Sequence, residues 1–200
     1  NLKNSASNKS NNKQNKPQAD PNKVYNIPIG DSVVIGNPNA KVTIIEWTDF
    51  QWPYCARSTG LVNDILAKYP NDVKVVIKNF PLSFHKQARL AAEYCLATKE
   101  QGGVEMYKKI HDKIFENYKM LKTNPDLPLQ FAEHLGLDIE KLKADAKSEK
   151  IKLLIDEEIK QMRTSGIPRL SVPKFLINGK EPSGRSFEVW TSIIDAELKK

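Results

Sequence analysis

The stretch "TDFQWPYCARS", Thr48 to Ser58, joins two different patterns. Ahead of it, "AKVTIIEWTDF" carries an apolar run rich in β-branched residues from Val42 to Trp47, the mark of a buried strand. Behind it, "PYCARSTGLVNDILAKY" sets Leu61, Val62, Ile65 and Leu66 at helical spacing. Pro53 suits the first helical position, where its missing N–H has no intrahelical partner to lose. "DVKVVIKNF" then returns to strand character from Val73 to Phe80. Together these predict a β-α-β unit with a right-handed crossover and parallel strands. The turn at its centre presents a large ring, Trp52, and a single thiol, Cys55.

Further along, the period changes. "KQARLAAEYCLATKE" is alanine-rich and favours helix, and "VEMYKKIHDKIFENY" places Met106, Tyr107, Ile110, Ile114 and Phe115 on one stripe. "DLPLQFAEHLG" reads as a short helix stopping at Gly136, and Asp138 can cap the next, "IEKLKADAKSEKIKLLIDEEIKQM", which is either two helices or one bent one. Strand character returns in "VPKFLINGKEP", with Asn178-Gly179 as a hairpin turn, and "SFEVWTSIIDAELKK" predicts a closing helix capped by Ser186. The order β-α-β, helical block, β-β-α defines an α/β fold: a core at 24–85 and 167–200, interrupted by helices at 86–166. No internal repeat is visible.

The net charge is +7, but the first 23 residues hold five lysines and one aspartate and so account for +4 of it. That segment, rich in Asn, Lys and Ser, has almost no apolar residue beyond Leu2 and cannot offset the entropy of ordering it. It reads as a disordered polar tether. No run approaches the roughly 18 apolar residues of a membrane helix. The sequence begins without Met, and a tether ahead of such a domain suits export to a bacterial cell envelope or periplasm, with a lipid anchor as one means of attachment. The basic residues of "EKLKADAKSEKIK" alternate with acids, as on a solvated helix face, and no basic and aromatic interleaving points to nucleic acid. His85, His111 and His134 have no ligand-like spacing with each other or with the cysteines, so no metal site is expected. No glycine motif that would cradle a phosphate precedes a helix, and no cofactor is expected. Two cysteines do not make a disulfide framework.

Three segments, "VVIGNPNAKVTIIEWTDFQWPYCA", "KNFPLSFHKQARLAAEYCLATKEQG" and "SVPKFLINGK", together resemble the DsbA-like thiol-disulfide oxidoreductases over roughly residues 29–199. The resemblance implies a thioredoxin-like domain with an inserted helical domain. It also implies a two-cysteine helix start, in which the first thiolate attacks and the second resolves the mixed disulfide. Trp52 occupies the attacking position and Cys55 the resolving one, with the "PY" of Pro53 and Tyr54 kept between them. Glu46, six residues before Trp52, matches the acid beneath the family's site. Val172-Pro173 matches the cis-proline dipeptide that lies against the cysteine motif and holds substrate backbone, and His85 follows a family pattern at the domain junction and reads as structural.

An indole has no thiolate, so the resemblance implies fold more firmly than activity. One reading is a redox-degenerate binding protein, with Trp52, Pro53, Tyr54, Val172 and Pro173 lining a groove for a polypeptide or an envelope partner protein. Another is a monothiol enzyme, with Cys55 and Glu46 catalytic and a redox partner to turn it over. A third pairs Cys55 with Cys95, which requires Cα atoms within about 7 Å. The plain alternatives are a Trp52 ring that only excludes water, a buried inert Cys55, and a Cys95 that fills space on an alanine-rich helix.

Overall fold

The computed structural model describes residues 20–200. Most of the proposed tether therefore lies outside the described residues; its last four, Asp20–Lys23, form a turn in which Lys23 donates its backbone N–H to Asp20. Four strands form one sheet in the order β1-β3-β2-β4, with β1 at Val33–Gly36, β2 at Val42–Thr48, β3 at Val73–Asn79 and β4 at Lys174–Ile177. Strands β2 and β3 pair in parallel across helix α1, Pro53–Lys68, as the β-α-β pattern predicts. Strands β1 and β4 are antiparallel to their neighbours. After their second residue, β2 and β3 are buried at every position. That is the signature of strands covered on both faces, and it explains why they read as continuous apolar runs instead of alternating ones.

The expected second strand after Asn178-Gly179 does not form. Asn178 and Gly179 do turn with positive φ, but only one bridge, Ile177 to Lys180, follows. The chain then runs through Glu181, Pro182, Ser183 and Gly184, and a proline without an N–H cannot extend a ladder. The sheet is completed instead by β1, which the β-α-β pattern had not counted as a separate strand.

Helix α2 runs from Ala88 to Glu116 but is broken at Gly103, whose φ of 69° and ψ of −167° lie outside helical space. The alanine-rich and Met106–Phe115 segments are thus two rods meeting at a glycine. A 3-10 turn at Tyr118–Lys122 leads to α3, Leu127–His134, and then to α4, Ile139–Ala146, and α5, Glu149–Arg163. The ambiguous long segment is therefore two helices. Asp138 caps the first by accepting from Lys141 N–H, and Ser148 caps the second by accepting from Ile151 N–H. Helix α6, Phe187–Leu198, begins at Ser186, whose hydroxyl accepts from Val189 N–H.

Helix α5 is pinned to the sheet by a buried polar network. The Glu158 carboxylate accepts from Ser32 Oγ at 2.6 Å, from Asn79 N at 3.0 Å and from Asn79 Nδ2 at 2.9 Å. Lys78 Nζ reaches the same Ser32 hydroxyl at 2.9 Å and donates to the carbonyl of Pro28. Burial raises the Glu158 pKa and lowers that of Lys78, against the hydrogen bonds and the opposite charge that favour the ionised forms.

Candidate functional site

Strand β2 ends at Thr48, and after four intervening residues α1 begins at Pro53. In the antiparallel register Lys174 lies opposite Trp47, so the Val172-Pro173 peptide bond, which is cis, enters at the end of the sheet where β2 runs out toward Trp52. Arg185 Nη2 donates to the Pro173 carbonyl at 2.7 Å, and both Val172 and Pro173 are buried.

Trp52 is the N-cap residue of α1, with extended backbone (φ −90°, ψ 122°), and no side chain caps the first turn. Half-buried, its ring is the centre of an aromatic group. Tyr54 lies 5.1 Å away between ring centroids, His85 5.3 Å and Phe84 6.2 Å. Tyr54 and Phe84 are 52% and 66% exposed, a large outlay of apolar surface for adjacent side chains. The Arg57 guanidinium sits 4.4 Å over the Tyr54 ring.

Cys55, one turn inside, faces the core and is 0% exposed. Its Sγ accepts the Asp49 backbone N–H at 3.4 Å. Burial pushes the thiol pKa up to about 12, and that hydrogen bond only partly opposes the rise. The thiolate needed for nucleophilic attack is therefore suppressed at neutral pH. Cys95 is buried on α2, where its thiol donates to the Tyr107 carbonyl at 3.7 Å, and burial raises its pKa too. Both thiols are free, so the Cys55–Cys95 pairing is not formed.

Glu46 lies within the sheet with Oε1 lacking any hydrogen-bond partner among the described residues. Burial raises its pKa to about 8; Lys108 and Arg185 pull it down and Asp112 pushes it up. Glu46 is a buried carboxyl that burial favours in its protonated form at neutral pH.

Two features of the site have no period in the sequence to announce them. Asp49 gathers the β2-α1 turn and the β3-α2 loop with one carboxylate, accepting from Gln51 N at 2.7 Å, Leu82 N at 2.8 Å and His85 Nδ1 at 2.8 Å. Gln51 Oε1 adds a second tie by accepting Gln87 N–H at 2.6 Å. Phe84, carried on that loop, is thereby delivered beside Trp52. His85, on the same loop and bonded to the Asp49 carboxylate, forms part of the rim. The turn-forming habit of Asp two residues before a bonded N–H is the one local signal for Asp49.

A family model described as thioredoxin matches residues 29–196. Among solved structures, oxidised BdbD from Bacillus subtilis superposes with a TM-score of 0.77 at 21% identity, covering 88% of this chain and 98% of that one. Pseudomonas aeruginosa DsbA2 gives 0.67 at 25% identity (84% and 95%), and a periplasmic thioredoxin-like protein from Salmonella enterica gives 0.62 at 21% identity (84% and 91%). A curated relative, Na(+)/H(+) antiporter NhaA 3 of Salinispora tropica, is 30% identical over 152 residues, 76% of this chain but 22% of that protein. The chain spans about a fifth of the length of the first curated relatives it matches. Among the described residues no helix is long and apolar enough to cross a membrane.

Proposed function

Because the chain belongs to the thioredoxin family and has the DsbA-like fold, we propose that it is a DsbA-like protein of the bacterial envelope that binds an extended polypeptide or partner protein without exchanging disulfides. The observation that carries this reading is the contrast between the two positions of the motif. Where an attacking thiol would stand, Trp52 joins Tyr54 and Phe84 in an exposed aromatic ledge; where a resolving thiol would stand, Cys55 is sealed in the core with its pKa near 12. Exposed aromatic side chains offer large contact area at small cost in side-chain entropy, which is why such residues anchor interfaces. Envelope location draws support from the periplasmic protein of like fold and from the polar, lysine-rich segment ahead of residue 24. Ion transport is not carried over from the antiporters, since the likeness covers only a fifth of their length.

The test is capture of a reduced, carboxymethylated unfolded polypeptide by the full chain. Trp52→Ala weakens capture several-fold, and Cys55→Ser leaves it unchanged. Loss of capture in Cys55→Ser with retention in Trp52→Ala would reverse the reading in favour of a monothiol enzyme.

A further inference from the structure

The aromatic ledge contains one polar side chain whose orientation is fixed from behind. The Asp49 carboxylate accepts from Leu82 N at 2.8 Å through the same oxygen, Oδ2, that meets His85 Nδ1 at 2.8 Å. A carboxylate oxygen only accepts, so Nδ1 carries the proton and the ring cannot turn over without breaking that bond. Asp49 itself is held by the backbone of Gln51, and its own N–H is committed to Cys55 Sγ. The imidazole is further wedged between Phe84, edge-on at 4.5 Å, and Trp52 at 5.3 Å. Its far nitrogen, Nε2, makes no hydrogen bond to the described residues and is not among their sealed polar atoms, so it keeps some access to solvent.

We propose that His85 Nε2 is the polar contact of the groove, accepting a backbone N–H from an apolar residue of an extended polypeptide whose side chain lies on Trp52 and Phe84. The inference rests on the binding function proposed above and adds to it the atom that sets ligand orientation. The chemistry selects this occupant. A fixed acceptor flanked by two apolar ring faces matches a peptide unit, which brings a donor and an apolar side chain a few Å apart in fixed relation. The neighbouring cation, Arg57, stacks on the face of Tyr54, a ring that pairs with Trp52 but with neither Phe84 nor His85. Asp49 acts as a positioning residue, holding the imidazole in the tautomer that leaves Nε2 free to accept.

The experiment is an NMR titration of the full chain, labelled with 15N at its imidazole and indole nitrogens, with the blocked peptide Gly-Ser-Leu-Phe-Ser-Gly. Only three histidines and three tryptophans are present, which keeps assignment tractable. The expected result is that the His85 Nε2 and Trp52 indole signals move together. His85→Phe, which keeps a ring on the ledge, then raises the Kd about tenfold, the loss expected of one hydrogen bond. N-methylation of the amide that contacts Nε2 weakens binding to the native protein by a similar factor and has no further effect on His85→Phe. Movement of Trp52 with a static Nε2 overturns the role of His85 while the binding groove stands; it does so even if His85→Phe fails to fold. If no signal on the ledge moves at saturating peptide, the groove function falls and this inference with it.

Discussion

At the start of α1, Trp52 presents an indole, which carries no thiol, and Cys55 presents a thiol enclosed by the core. A thiol with a pKa near 12 is almost wholly protonated at pH 7, and full burial denies access to an alkylating reagent. Peptide-resolved alkylation of the native protein is therefore expected to leave both Cys55 and Cys95 unmodified until denaturant unfolds the chain; rapid labelling of Cys55 in the native state would restore the monothiol mechanism. Glu46 yields a second expectation. Its pKa is raised from the carboxyl range to about 8, so between those values the folded protein holds a proton that the unfolded chain releases. The folded state then loses stability as pH rises, by about 1.4 kcal/mol per unit for this one group. Urea unfolding from pH 5 to pH 8 should show Glu46→Gln removing that contribution and becoming more stable than the parent at pH 8. Equal slopes in the two proteins would refute it.

Strands β2 and β3 and helix α1 follow from local pattern because burial on both faces and one amphipathic stripe are written into consecutive residues. The contribution of α5 to the core is different in kind. Its amphipathic pattern locates the helix, but Glu158 engages Ser32, 126 residues earlier, and Asn79, 79 residues earlier. No local pattern can announce such a pairing. Removing one side of a buried charged network leaves the other unpaired, so Glu158→Ala should destabilise the fold by about 3–5 kcal/mol in urea unfolding. A change below about 1 kcal/mol would mean that water replaces the carboxylate. Gly103 is the corresponding backbone feature: its φ of 69° and ψ of −167° break α2 into two rods in a region only glycine adopts readily, and Gly103→Ala should cost about 1–3 kcal/mol through its Cβ, since open space surrounds the position.

In the complete fold, α1 starts at Trp52 with no side chain capping its first turn, and Glu46 is buried in the preceding strand β2. Trp52→Cys is accordingly expected to place a thiol among the free amides of α1, lower its pKa, and give measurable reduction of insulin disulfides with Cys55 as the resolving partner. A folded but inactive variant would show that the site has diverged at more than one position. The sequence by itself determined the α/β class, the β-α-β unit, the helical block and the identity of the residues around the turn, because apolar period, proline and caps act between neighbours a few positions apart. It also showed that position 52 holds a ring and position 55 the remaining thiol. Only the tertiary structure decided that Cys55 is sealed, that the second strand after Asn178-Gly179 is missing and β1 completes the sheet, and that Asp49 brings Phe84 and His85 to Trp52. Those outcomes depend on burial and on hydrogen bonds between segments far apart in the chain, where desolvation sets the pKa of a thiol and one carboxylate sets the shape of a surface.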